Sequence, residues 1–181
     1  AAPSPLSAPA PDIPLQPLRA GPDALTARLA LDCEMVGVGP SKRSMLARVV
    51  VVNFDEVVVF SCFVKPTQRV TDYRTEVSGV KPEHMVHALP LRKVQSEVAR
   101  LCHKRILIGH ALVNDFKALA LHHPKNLMRD TALYDPFKKV VGEHKRAQRL
   151  KALAKEHLDW EIQTGEHSPC EDAVAALRLY K

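Results

Sequence analysis

The stretch Leu29-Ala30-Leu31-Asp32-Cys33-Glu34-Met35-Val36 decides how the chain is read. Along an extended backbone, alternation puts Leu29, Leu31, Cys33 and Met35 on one face and Ala30, Asp32, Glu34 and Val36 on the other. The strand is apolar on both sides except for two carboxylates that share a face. Like charges this close repel, so a purely structural sheet gains nothing from them unless water or cations neutralise the pair. Two readings are open here: a solvent-facing edge, or an internal strand whose acids hold cations.

Outward from that strand, a turn containing Gly37, Gly39 and Pro40 leads to two valine-rich runs, 46–54 and 57–64. They flank Asp55-Glu56 and predict a hairpin. Leu91, Val94, Val98 and Leu101 recur at helical spacing over 91–102. Short strands at 105–109 and 127–130, and helices at 113–122, 149–157 and 169–181, complete the pattern. Three strands followed by alternating helices and strands predict a mixed α/β sheet covered by helices. The basic stretch 138–149 has little apolar periodicity and reads as an exposed loop.

The 181 residues suffice for one ordinary domain. Residues 1–23 hold seven of the 14 prolines and few large apolar groups, which predicts a disordered or extended tail ahead of a domain at 24–181. That segment lacks the charged start and unbroken apolar run of a signal peptide. No apolar stretch is long enough to cross a bilayer, so no membrane partner is expected. Lysine and arginine outnumber aspartate and glutamate by 26 to 20, a weak pointer to a polyanionic partner. Cys33, Cys62, Cys102 and Cys170 are widely spaced without a CxxC pair, which fits reduced thiols better than a zinc or disulfide framework.

Further carboxylates change the weight of the first two. Asp115 stands where the strand ending at Gly109-His110 leads into the helix carrying Phe116, Leu119 and Ala120. Taken alone, a helix-start acid is explained by capping and the helix dipole. In His167-Ser168-Pro169-Cys170-Glu171-Asp172, Ser168 and Glu171 predict a capping box with Pro169 at the first helical position. Those residues leave His167 and Asp172 unexplained. Asp172 borders the stripe Ala173, Ala176, Leu177 and Tyr180, where a carboxylate needs a partner; a metal and the helix dipole are the candidates. Together Asp32, Glu34, Asp115 and Asp172 furnish the hard oxygen ligands that Mg²⁺ or Mn²⁺ prefers. Two such ions polarise a phosphate and lower the pKa of bound water, while a neutral His167 can accept the water's proton. The chemistry expected is hydrolysis of a phosphodiester bond.

The segments LALDCEMVGVGP (29–40), TDYRTEVSGV (71–80), GHALVNDFKAL (109–119), RDT (129–131) and HSPCEDAVAALRLYK (167–181) resemble the DEDDh exonucleases of the RNA exonuclease 4 group. That group is related to the interferon-stimulated exonuclease and the apoptosis-enhancing nuclease, and the similarity covers 29–181. The resemblance implies a ribonuclease H-like, mixed five-stranded sheet flanked by helices, and 3′-to-5′ exonuclease activity releasing nucleoside 5′-monophosphates. It implies two Mg²⁺ or Mn²⁺ ions on Asp32, Glu34, Asp115 and Asp172, with His167 activating the water. It also implies RNA as the preferred single-stranded or 3′-ended substrate, a monomer, a role in ribosomal RNA processing, and placement in the nucleus and nucleolus.

By the same resemblance Met35 and Arg74 lie near the terminal nucleotide. Simple alternation instead turns Met35 toward the core, and for Arg74 the competing role is a surface salt bridge. His110 and Asp130 read as a structural histidine and as either an outer-shell group or a loop cap. Lys42, Arg43, Arg74, Lys145 and Arg146 are candidate phosphate contacts. A DNA 3′-to-5′ exonuclease is the nearest competing function, because cation chemistry does not distinguish the sugars. An inactive nucleic-acid-binding module is the other, and the full set of acids with His167 argues against it.

Overall fold

The computed structural model describes residues 16–165 and 167–181. In chain order its elements are β1 (Leu18–Arg19), β2 (Arg28–Val38), β3 (Arg43–Asn53), β4 (Val58–Lys65), β5 (Val70–Asp72) and a short helix α1 (Thr75–Ser78). Then follow β6 (Leu89–Pro90), α2 (Leu91–Cys102), β7 (Ile106–Gly109), α3 (Leu112–Leu119) and β8 (Met128–Asp130). A hairpin of β9 (Lys138–Val141) and β10 (His144–Ala147) precedes α4 (Leu150–Leu158) and α5 (Pro169–Tyr180).

Val49, Val50, Val51 and Val52 are all fully buried, which a strand achieves only when both its faces are covered. Val49 and Val51 enter one apolar cluster with Leu29, Leu31, Val94 and Leu101, so α2 and α3 cover that face. Val50 and Val52 enter a second with Ala30, Ala154, Ala173 and Leu177, so α4 and α5 cover the other. The main sheet runs β1-β4-β3-β2-β7-β8. β2, β3 and β4 pair antiparallel, whereas β7 pairs parallel to β2, and β8 parallel to β7. The five strands β4-β3-β2-β7-β8 are the mixed, ribonuclease H-like sheet anticipated above, and β1, β5 and β6 are short additions to it.

The turn between β3 and β4 falls at Asp55-Glu56 because Asn53 organises it: its Oδ1 accepts the N–H groups of Asp55 and Val57, and Glu56 takes a left-handed φ of 66°. Helix α2 has the bounds its apolar spacing predicts, with Val94, Val98, Leu101 and Cys102 buried. The four cysteines are buried and free.

Two expectations need correction. Of the tail read at 1–23, residues 1–15 lie outside the described residues, but Leu18 and Arg19 pair with Ser61 and Phe60 of β4. Sheet pairing therefore begins ahead of residue 24, because the edge of β4 offers open backbone groups. The exposed stretch 138–149 is not a loop but largely the β9–β10 hairpin, turned at Gly142 with φ 63°. Both its faces are solvent-exposed apart from the half-buried Lys138, so no apolar alternation marks it. Among the described residues no helix is long and apolar enough to cross a membrane.

Candidate active site

The carboxylates meet where β7 leaves the sheet. β7 pairs with β2 only from Arg28 to Ala30, so β2 continues past it and exposes Asp32 to the space above the β7–α3 turn. Gly109 makes that turn possible: a Cβ there would strike the Leu112 side chain and sit 3.0 Å from the Leu31 carbonyl oxygen. The close approach brings the start of α3 against β2. Asp130, at the end of β8, holds it there, accepting the N–H groups of Ala111 at 2.8 Å, Leu112 at 2.9 Å and Ala132 at 2.9 Å. Asp130 is thus a loop cap, and Asp115 follows in the first turn of the helix it caps. His110 is likewise structural, with Nδ1 2.9 Å from the Thr131 hydroxyl.

The third segment arrives on α5. Pro169 opens the helix, but the predicted capping box does not form: Ser168 makes no side-chain cap bond, and Glu171 Oε2 accepts the backbone N–H of Gln163 instead. Gln163 takes a left-handed φ of 54° that directs its N–H toward Glu171, and its side-chain amide donates to Asp172 Oδ2 at 2.9 Å. His167 is fixed by its own N–H, which donates to the Val77 carbonyl of α1, and its Nδ1 lies 3.9 Å from Asp172 Oδ2.

Glu34, His167 and Asp172 each bring a ligand atom within 4.8 Å of the others. Asp32 feels the charges of Asp115, Asp172 and Glu34, which puts the four carboxylates in one electrostatic neighbourhood, with Asp32 and Asp115 outside the trio whose ligand atoms come within 4.8 Å. Glu34, Asp115 and Asp172 are at most 8% exposed, and Asp32 is half-buried. Burial is the first cause of the upward shift of each of these four carboxylates. It pushes Glu34 up to about 9, with the charge of Asp172 adding and that of Arg48 opposing. It pushes Asp115 and Asp172 up to about 7, against hydrogen bonds from the Cys33 thiol and from Gln163 respectively. Asp32 is also held well above the ordinary range, by burial and then by its acidic neighbours. Burial lowers His167, which keeps the imidazole neutral near pH 7.

The donor set fits a hard divalent cation. Four carboxylates converge, and the Oδ1 of Asp172 is buried with no hydrogen-bond partner among the described residues. Such an oxygen is costly unless protonated or bound to an ion. The sign of the resulting pH dependence is fixed: the folded protein binds these protons more tightly than the unfolded chain. Their stabilising contribution is complete below the unfolded carboxylate pKa of about 4 and is lost as pH rises through the folded values. In chelator, the melting temperature is therefore expected to fall between about pH 5 and about pH 9, and Mg²⁺ or Mn²⁺ to restore it at the alkaline end. Differential scanning fluorimetry across pH checks this; a flat or rising profile in chelator would contradict the buried acidic cluster.

Met35 and Arg74 stand differently from the five. A β-bulge falls between Glu34 and Met35, yet Met35 still packs, half-buried, against the Leu31 and Cys33 side of the sheet. Arg74, at a left-handed φ of 52°, donates from its guanidinium to the Ser44 hydroxyl at 2.8 Å and to the Lys42 carbonyl at 2.6 Å. It pins the turn between β2 and β3 and forms no salt bridge among the described residues. Lys42 is paired with Asp72, and Lys145 with Asp135, so these two candidate phosphate contacts are already engaged within the chain.

Sequence reasoning missed Gln163 and Arg48. Nothing in the sequence marks Gln163, since its role depends on a loop conformation. Arg48 did carry a signal, as the only charged residue in the apolar run 46–54, and it faces Glu34 across the β2–β3 ladder. A groove of about 1100 Å³ lies elsewhere, beside α3 and β8, lined in part by Val113, Phe116, Tyr134 and Tyr180 and by none of the five clustered residues. Chemistry locates the site here, not volume.

Residues 29–180 match the family model described as exonuclease. The chain is 51% identical over 157 residues to RNA exonuclease 4 of Homo sapiens, covering 86% of this chain and 37% of that protein. To RNA exonuclease 4 of Saccharomyces cerevisiae it is 49% identical over 154 residues, covering 84% and 53%. The chain thus spans about half the length, or less, of these relatives. Among solved structures, it superposes on the Neurospora crassa Pan2 catalytic unit (protease and nuclease domain) with a TM-score of 0.75 at 26% identity, covering 88% of this chain and 27% of that one. The Saccharomyces cerevisiae Pan2 pseudoubiquitin hydrolase-RNA exonuclease module in complex with AAUUAA RNA matches with a TM-score of 0.77 at 27% identity, covering 94% and 32%.

Proposed function

Because this chain belongs to the exonuclease family, we propose that it hydrolyses RNA from the 3′ end, releasing nucleoside 5′-monophosphates, with two Mg²⁺ or Mn²⁺ ions held by Asp32, Glu34, Asp115 and Asp172. One observation carries the reading: the buried, unpartnered Oδ1 of Asp172, beside Glu34 and His167 ligand atoms that lie within 4.8 Å of one another. Bound there, such ions supply phosphate polarisation, a nucleophile at neutral pH and stabilisation of the leaving oxygen.

The residues of the chain divide the remaining work. Gln163 holds Asp172 through Oδ2 and leaves Oδ1 for a cation. Asp130 keeps the first turn of α3 in place, and with it Asp115. His167, neutral and anchored through Val77, accepts the proton of the attacking water on an imidazole nitrogen. Met35 and Arg74 border the terminal nucleotide, the first beside Glu34 on β2 and the second at the start of α1, reaching across to the turn that joins β2 to β3. RNA as substrate is supported by the names of the relatives and by the RNA-bound Pan2 module.

The test is an end-labelled RNA and a DNA of matched sequence, each incubated with the protein in Mg²⁺ or Mn²⁺ and with a chelator control. RNA shortened progressively from its 3′ end, and arrested by chelator, is the expected result. Shortening of neither strand would overturn the proposed activity, and faster shortening of DNA would reverse the substrate assignment.

A further inference from the structure

The strand paired with Asp32 and Glu34 brings a cation of its own to the acidic cluster. Arg48 is the register partner of Glu34 on β3 and lies among apolar neighbours. Its guanidinium sits 4.9 Å from the centroid of the Phe63 ring, whose own neighbour at 4.3 Å is the His84 imidazole. Its Nε is buried without a hydrogen-bond partner among the described residues. A guanidinium held this way, against an aromatic face and short of donors satisfied, is a costly arrangement for a sheet interior unless its charge is used. The charge acts directly on Glu34, in the sense that favours the ionised carboxylate.

We propose that Arg48 is a positioning residue that sets the charge of the loaded site, weakening its hold on divalent cations and reserving a place for one phosphodiester anion. This inference rests on the cation reading above. With four ionised carboxylates and a pair of dications the first sphere is neutral, and a neutral centre has no preference for an anionic substrate. Arg48 leaves the loaded centre one charge positive. A single phosphodiester, with one negative charge, would then bring it to neutrality. The substrate-free protein meanwhile feels less negative potential at its carboxylates than four acids alone would create, so ions exchange more readily before substrate arrives.

A merely structural Arg48, needed for packing on Phe63, predicts something else: removing it would loosen the strand, scatter Glu34, and weaken cation binding. The two roles differ in sign. Mn²⁺ alone is titrated, by the electron paramagnetic resonance of the free ion, into the parent protein and into Arg48→Gln, Arg48→Met and Arg48→Lys. Folding is verified by circular dichroism, and KM and kcat for a single-stranded RNA are measured at saturating Mn²⁺. The Gln and Met variants are expected to bind Mn²⁺ at least about tenfold more tightly, from the loss of one nearby unit charge at an effective dielectric of about 20. Their KM is expected to rise by about tenfold with a smaller change in kcat, and the Lys variant to stay near the parent in both.

Unchanged or weakened Mn²⁺ binding in whichever charge-removing variant folds would overturn the proposal, as would a Lys variant that behaves like the Gln variant. Absence of saturable Mn²⁺ binding by the parent protein would instead overturn the cation reading on which it rests.

Discussion

Asp32→Ala is expected to reduce RNA hydrolysis by well over about 100-fold, since altering even an outer-shell partner of a metal ligand costs about 10- to 100-fold in affinity or activity. Asp32 is the member of the cluster on which the other three acids converge electrostatically. Its replacement removes both a proposed cation ligand and a source of repulsion. The same substitution is therefore expected to raise the melting temperature in chelator above that of the parent while abolishing the stabilisation by Mg²⁺ or Mn²⁺. Activity and stability moving in opposite directions distinguishes a lost ligand from a damaged fold. Parent-like cleavage by Asp32→Ala, in a gel assay of end-labelled RNA, would sink the assignment.

His167→Ala is expected to lower kcat by about 10²- to 10⁴-fold, the usual range for a general base, while sparing most of the cation binding. The geometry makes this a sharp test, because His167 also offers a nitrogen within 4.8 Å of the Glu34 and Asp172 oxygens and so could serve as a ligand. The pH profile separates the roles. A base whose pKa burial holds below its ordinary value is already deprotonated at neutral pH, so the parent rate rises on the acid side as His167 loses its proton. That limb should disappear in the variant at saturating Mn²⁺. Loss of Mn²⁺ binding in parallel with activity would show that His167 is a ligand and not the base.

The sheet and the five clustered residues were legible for a physical reason: both depend on patterns that survive in one dimension. The valine run in β3 announces burial on two faces, and α2 announces one buried stripe with the bounds it has in the structure. Asp32 and Glu34 stand out because they interrupt an apolar strand, and His167 and Asp172 because capping residues do not account for them. What was not legible depends on relations between distant backbones. Arg48 is visible as an anomaly in an apolar run, but its meeting with Glu34 depends on a register that shifts one residue later at the bulge. Gln163 reaches Asp172 only through a left-handed backbone conformation, and the same residue draws Glu171 away from the capping bond that Ser168 invites. The β9–β10 hairpin escaped because its side chains face solvent on both sides, leaving Gly142 as the lone sign of a turn.

Helix α5 supplies Asp172 and, through Ala173, Val174, Ala176 and Leu177, much of the cover for one face of the sheet. Synthesis proceeds from the other end, so Asp32 and Glu34 leave the ribosome long before their partner is made. A nascent chain that stops short of α5 has an uncovered sheet and an incomplete acidic cluster at once. Completion of the acidic cluster and completion of the core therefore arrive in the same stroke.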